Sequence, residues 1–176
     1  MFHLVTGGSA SGKSSFAEQQ ILNFGEDENR IYIATMIPGS DPENARRIEK
    51  HRKRREDMNF RTIECYTGLL HADVPKGSTV LLDCMSNLVA NEMFTSDLGG
   101  IHTVEAVLLG MDHLISTAKN VVVVTNEIFS SGVEYGQTTR IYMQFLGSIN
   151  QELARWADQV TEVVYGIPVT IKKVGP

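Results

Sequence analysis

Short, nearly unbroken apolar runs alternate along this chain with longer stretches in which apolar residues recur every three or four positions. The runs are Phe2 to Thr6, Arg30 to Thr35, Thr79 to Met85 and Asn120 to Glu127. Apolar on consecutive positions and rich in β-branched residues, they predict strands buried on both faces. Ser14 to Asn23 predicts a helix with Phe16, Ala17, Gln20 and Ile21 near one face. Val104 to Ala118 predicts another, with Val107, Leu108, Met111, Leu114 and Ile115 in helical register. A long helix is expected from about Thr138 to Asp158, and the tail from Val160 to Lys172 reads as two strands turning at Gly166-Ile167-Pro168.

Strand–helix alternation of this kind implies an open α/β sheet, mostly parallel, with helices on both faces and a C-terminal β-hairpin. The 176 residues fit one domain, 1–176, with neither repeats nor a low-complexity linker. Apolar content of 42% and charged content of 21% are those of a globular chain. No signal peptide is expected, because the run from Phe2 to Val5 stops at Gly7 without a basic leader or cleavage site. No apolar run approaches the roughly 20 residues of a membrane span. Cys65 and Cys84 stand in no metal-ligand spacing, so neither a disulfide framework nor structural zinc is expected, and a reducing cytoplasm is the natural compartment. The net charge of −5 argues against general nucleic-acid binding, yet seven of the sixteen lysines and arginines lie between Arg46 and Arg55.

Ligands of such sheets bind beyond the carboxyl ends of the strands, and the candidate chemistry lies there. Gly7-Gly8-Ser9-Ala10-Ser11-Gly12-Lys13-Ser14 satisfies G-x-x-x-x-G-K-[ST] between a predicted strand and a predicted helix. Triphosphate oxygens need several donors converging on a small volume. A loop of Gly and Ser turns its backbone N–H groups inward, and the following helix adds its positive end. Lys13 is expected on the β- and γ-phosphates, and the Ser14 hydroxyl on Mg²⁺. Asp83, ending an apolar strand, is the candidate second metal residue, although a strand-end Asp also suits a helix cap. Glu127 is a weaker candidate for positioning water, metal or substrate, and Asn126-Glu127 reads equally as a turn.

Ser40-Asp41-Pro42-Glu43 has the form of a helix start, and the basic cluster follows it. Spacings of four stack Arg47, His51 and Arg55 on one face. Two readings stand side by side: a solvated basic face, or an anion site in which arginines neutralise phosphates around a nucleophilic histidine. Spacing alone does not choose between them.

Together these landmarks resemble the bifunctional adenosylcobinamide kinase / adenosylcobinamide-phosphate guanylyltransferase family of cobalamin biosynthesis. The resemblance runs from the phosphate loop through Tyr32-Ile33-Ala34-Thr35, Arg47-Ile48, His51 and Arg55. It continues through Arg61-Thr62-Ile63-Glu64, Leu82-Asp83-Cys84, Asn87 to Asn91, Val124 to Glu127, Asn150-Gln151, Ala157-Asp158 and Gly166-Ile167-Pro168. It implies a P-loop NTPase-type, RecA-like fold. It also implies phosphorylation of a corrinoid alcohol by ATP or GTP, then transfer of GMP from GTP through a guanylylated histidine. His51 occupies that position, with Arg47, Arg52 and Arg55 as charge partners, Glu64 among the nucleotide contacts and Mg²⁺ on Ser14 and Asp83. A cytoplasmic homotrimer with a small-molecule corrinoid substrate is the expected assembly. The chain departs from the family's pattern at Ile128 to Glu134, at Tyr142-Met143-Gln144 and at Ser148, all on what the resemblance makes the acceptor side. Two rivals remain open on sequence: a P-loop kinase of another small alcohol, and a non-catalytic nucleotide-binding regulatory module.

Overall fold

Val121 to Val124 leave no position in their run for solvent, and all four are buried at the centre of a seven-stranded sheet. The structure, a computed structural model, describes residues 1–24, 29–39, 49, 58–95, 100–130 and 132–175. Its strands are β1 Phe2–Thr6, β2 Arg30–Ala34, β3 Arg61–Glu64, β4 Thr79–Asp83, β5 Asn120–Val124, β6 Gln159–Val164 and β7 Ile167–Lys173. Their order is β3-β2-β4-β5-β1-β6-β7, parallel throughout except for β7, which returns antiparallel to β6. The helices are α1 Lys13–Asn23, α2 Met85–Thr95, α3 Thr103–Thr117 and α4 Gln137–Trp156.

Side chains alternate across each strand and so divide the core in two. Phe2, Leu4, Ile31, Ile33, Val80, Leu82, Val121 and Val123 pack with α2, α3 and α4. Val5, Tyr32, Leu81, Val122 and Val124 pack on the other face with Ala17 and Ile21 of α1. Each buried side chain of this size contributes about 1.5–3 kcal/mol. The centre is therefore anchored much more firmly than the β3 edge, where Arg61, Thr62 and Glu64 are exposed.

The expected elements appear with shifted ends. The strand expected over Arg30 to Thr35 stops at Ala34, that over Thr79 to Met85 at Asp83, and that over Asn120 to Glu127 at Val124. Beyond the ladders the Cys84 amide turns to Thr35 Oγ1 and the Asn126 amide to Ser86 Oγ, while Met85 already opens α2. On α1 the buried positions are Lys13, Ala17, Glu18 and Ile21, while Phe16 and Gln20 are half-buried. Hydrophobic periodicity cannot foresee a buried carboxylate. The turn of the terminal hairpin falls at Tyr165-Gly166, both at positive φ, and Ile167-Pro168 already belong to β7. Proline is tolerated there because β7 is an edge strand and loses no ladder partner.

The basic stretch, including Arg47, His51, Arg52 and Arg55, lies outside the described residues apart from Glu49, which is helical and exposed.

Candidate active site

The loop Gly7–Ser14 leaves the carboxyl end of β1 and winds back into α1. Gly12 caps that helix at φ 93° and ψ 2°, a left-handed conformation that a side chain would strain. A Cβ on Gly7 would lie 2.6 Å from both the Val163 carbonyl and Ser11 Oγ, so that position excludes any side chain. Within the loop the Ser11 amide donates to the Gly8 carbonyl at 3.3 Å, and Lys13 Nζ donates to the same carbonyl at 3.0 Å. The ammonium therefore curls back over the loop. Ser9 and Ala10 are exposed at its tip, and Ser14 sits half-buried in the first turn of α1. That turn's leading N–H groups have no acceptor further back in the helix and aim at an incoming anion.

Two outside contacts brace the loop. The Gly166 amide in the β6–β7 turn donates to the Ser11 carbonyl at 2.8 Å, and the Glu127 amide donates to the Gly7 carbonyl at 3.0 Å. Sequence reasoning gave neither residue this role. Nothing in the local pattern of a hairpin turn reveals that it abuts a loop at the opposite end of the chain.

Strand register brings Asp83 to the same place. Asp83 pairs with Ala34 on one side and Val124 on the other, and Val124 pairs with Val5, two residues before Gly7. Two strand spacings separate Asp83 from Val5, about 10 Å between backbones. Alternation puts Asp83 on the same face as Leu81, which packs against α1, so its half-buried carboxyl lies on the side of the sheet that carries Ser14. The neighbouring Cys84 thiol registers both groups. Burial pushes it up to about 11, the Asp83 carboxylate adds to the rise, and the Lys13 ammonium opposes it.

Among the described residues no cluster of three or more His, Cys, Asp or Glu side chains is placed to hold a metal ion. Among the described residues, the donors the sequence offers for a metal here are the Ser14 hydroxyl and the Asp83 carboxylate. That sparse set suits Mg²⁺, which keeps several waters and binds through one or two carboxylates plus substrate phosphates.

Glu64 ends β3 in register with Ala34, hence two strands beyond Asp83, and its carboxylate accepts the Tyr66 hydroxyl at 2.9 Å. Glu127 holds its own turn: one oxygen accepts the Phe129 amide at 2.8 Å and the other the Ser130 hydroxyl at 2.7 Å. The Ser130 bond is the main reason its carboxyl lies below the usual range. The turn reading of Asn126-Glu127 is the one these bonds favour. The Asn126 amide in turn donates to Ser86 Oγ at 3.1 Å, and the Tyr142 hydroxyl donates to the Ser86 carbonyl at 3.1 Å, tying α2 and α4 to the same loop.

A family model described as cobinamide kinase / cobinamide phosphate guanyltransferase matches residues 3–171. The bifunctional adenosylcobalamin biosynthesis protein CobU of Escherichia coli (strain K12) is 37% identical over 98% of this chain and 100% of its own length. CobP of Pseudomonas aeruginosa, with the same description, is 31% identical over 98% of each chain. Among solved structures, one described as an ATPase domain superposes with a TM-score of 0.56 at 16% identity, covering 99% of this chain and 78% of that one. The flagellar accessory protein FlaH from Methanocaldococcus jannaschii gives 0.50 at 12% identity, covering 99% and 80%. At such identities these two structures speak to the fold alone, which is RecA-like, with β5 inserted between the strands that carry the phosphate loop and Asp83.

Proposed function

The chain belongs to the cobinamide kinase / cobinamide phosphate guanyltransferase family, and from that premise we propose how its residues divide the two reactions. It is a bifunctional enzyme of adenosylcobalamin biosynthesis, a kinase of cobinamide and a guanylyltransferase of cobinamide phosphate, and nucleoside triphosphates are its co-substrates. Family membership displaces both rivals left open by the sequence.

The observation that carries the residue assignment is the convergence of the Gly7–Ser14 loop and Asp83 on the α1 side of the sheet. Gly7, Gly8, Ser9, Ala10, Ser11 and Gly12 supply backbone donors to the triphosphate, and Lys13 supplies a point charge. When bound, Mg²⁺ held by Ser14 and Asp83 adds charge neutralisation at the phosphates. In the kinase reaction the acceptor hydroxyl oxygen attacks the γ-phosphorus of ATP or GTP, its proton passes to solvent, the bond to the β–γ bridging oxygen breaks, and the diphosphate leaves. Lys13 and the loop amides stabilise the charge on the departing oxygens.

In the second reaction a His51 ring nitrogen attacks the α-phosphorus of GTP. An N–P bond forms, the bond to the α–β bridging oxygen breaks, and pyrophosphate departs. The phosphate oxygen of cobinamide phosphate then attacks the same phosphorus and the N–P bond breaks, returning the imidazole. Splitting the transfer into two displacements is ordinary covalent catalysis. Arg47, Arg52 and Arg55 offset the phosphate charge, and Glu64 contributes to holding the nucleotide. One domain, 1–176, carries both reactions in the cytoplasm. The exposed apolar residues Ile167, Val169 and Ile171 on edge strand β7 support a homo-oligomer, which we take to be a trimer.

Covalent labelling tests the histidine. Incubation with α-labelled GTP and Mg²⁺, followed by denaturation, is expected to leave an acid-labile, base-stable label that His51→Ala abolishes. An unlabelled wild type, or equal labelling of His51→Ala, overturns the histidine assignment. Phosphoryl transfer to adenosylcobinamide, assayed separately, is expected to survive His51→Ala and to be lost in Lys13→Ala.

A further inference from the structure

The ladder of β4 ends at Asp83, so the next peptide group needs partners from elsewhere. Thr35, the first residue past β2, supplies them. Its hydroxyl accepts the Cys84 amide at 2.8 Å and donates to the Cys84 carbonyl at 2.8 Å. One hydroxyl thus holds both polar groups of the residue that follows Asp83. The Cys84 carbonyl also accepts the Leu88 amide of α2 at 3.2 Å, so the segment is gripped from strand and helix together. Thr35 is fully buried and held from behind: Asn91 Nδ2 donates to its carbonyl at 2.8 Å and to the Tyr66 carbonyl at 3.0 Å.

A hydroxyl used this way fixes the backbone on the carboxyl side of Asp83, while the Ala34 and Val124 pairings fix the strand itself. The carboxylate is left with only its own side-chain torsions, on the face of the sheet that carries α1. We propose that Thr35 is the positioning residue for Asp83, setting the affinity of the phosphate site for its divalent cation through a backbone clamp rather than by contact. The inference rests on the reading that Asp83 shares the metal.

Groups hydrogen-bonded directly to metal ligands alter metal affinity by about 10- to 100-fold when removed, and a clamp on the adjoining backbone is expected at the lower end of that range. Thr35→Val keeps the shape and deletes the hydroxyl, whereas Thr35→Ser keeps the hydroxyl. Two equilibrium quantities separate positioning from general damage: Mn²⁺ affinity by electron paramagnetic resonance with guanylyl imidodiphosphate bound, and affinity for that nucleotide in EDTA. For Thr35→Val the expected result is a loss of about tenfold in Mn²⁺ affinity with unchanged nucleotide affinity in EDTA, and wild-type values for Thr35→Ser. Wild-type Mn²⁺ affinity in Thr35→Val, alongside a loss in Asp83→Asn, overturns the proposal while leaving the Asp83 reading intact. Equal losses of Mn²⁺ and metal-free nucleotide affinity also overturn it, because they mark a structural defect. Unchanged Mn²⁺ affinity in Asp83→Asn removes the reading on which the proposal stands. If neither Thr35→Val nor Thr35→Ala folds, Thr35 serves the core rather than Asp83, and the proposal falls.

Discussion

The Gly166 amide donates to the Ser11 carbonyl at 2.8 Å, joining the last hairpin of the sheet to the middle of the phosphate loop. The approach is close. A Cβ on Gly12 would stand 3.4 Å from Gly166 Cα, so the two glycines meet backbone to backbone.

Gly166 sits at φ +81° with no atom within 4 Å of an added Cβ, so a side chain there meets strain and no clash. Gly166→Ala is therefore expected to cost about 1–2 kcal/mol of stability, from the left-handed conformation alone. Loosening the brace should also weaken triphosphate binding. Denaturant unfolding and nucleotide titration on the same preparation check both effects, and wild-type nucleotide affinity would show that the brace does not tune the loop.

His3 should make the protein sensitive to mild acid. It is fully buried on β1, bonded through Nε2 to Thr161 Oγ1 at 2.9 Å and set edge-on to Phe16 with ring centroids 6.0 Å apart. Burial lowers its pKa from 6.5 to about 4. Between those values the unfolded chain binds the proton and the folded chain does not, so stability falls as pH drops from 6.5 towards 4 and levels off below. The ceiling on this contribution is about 3 kcal/mol, from roughly 1.4 kcal/mol per pKa unit. Urea unfolding at several pH values should show the slope, and His3→Gln should flatten it. A slope unchanged in His3→Gln would assign the acid sensitivity to other groups.

Glu92 on α2 is buried, and its carboxylate accepts the Gly68 amide in the loop after β3. Replacing it with Leu leaves that amide without its acceptor, at a cost of about 1–3 kcal/mol. Glu92→Gln keeps a carbonyl acceptor and should lose less. Chemical denaturation of the two variants gives the comparison, and equal losses would show that the bond adds nothing beyond packing.

Cys65 and Cys84, both buried, have their thiols pushed up to about 11, mainly by burial. Neither should react with iodoacetamide at pH 8 in the folded protein, since the nucleophile is the thiolate. Mass spectrometry should find both alkylated only after denaturation. Modification of the native protein at either site would contradict their burial.

The parallel sheet and the phosphate loop were legible in the order of residues, because both obey local rules. Consecutive β-branched residues bury both faces of a strand, and a Gly-Lys-Ser junction between strand and helix builds an anion site. Asp83 was legible for the same reason, as the acid that ends the apolar run Val80-Leu81-Leu82. Strand β3 and helix α2 were not. In β3 only Ile63 is even half-buried, because an edge strand needs little apolar surface. In α2 the buried stripe Met85, Leu88, Val89 is interrupted by buried Glu92, whose burial is compensated by a loop amide from a distant part of the chain. The groups that hold the site in place emerged with the folded chain alone. The Gly166 brace on Ser11, the Thr35 clamp on Cys84 and the Glu127 turn under Gly7 are all hydrogen bonds between strand ends that the sheet order makes neighbours. Strand order follows from global packing, which no local spacing encodes.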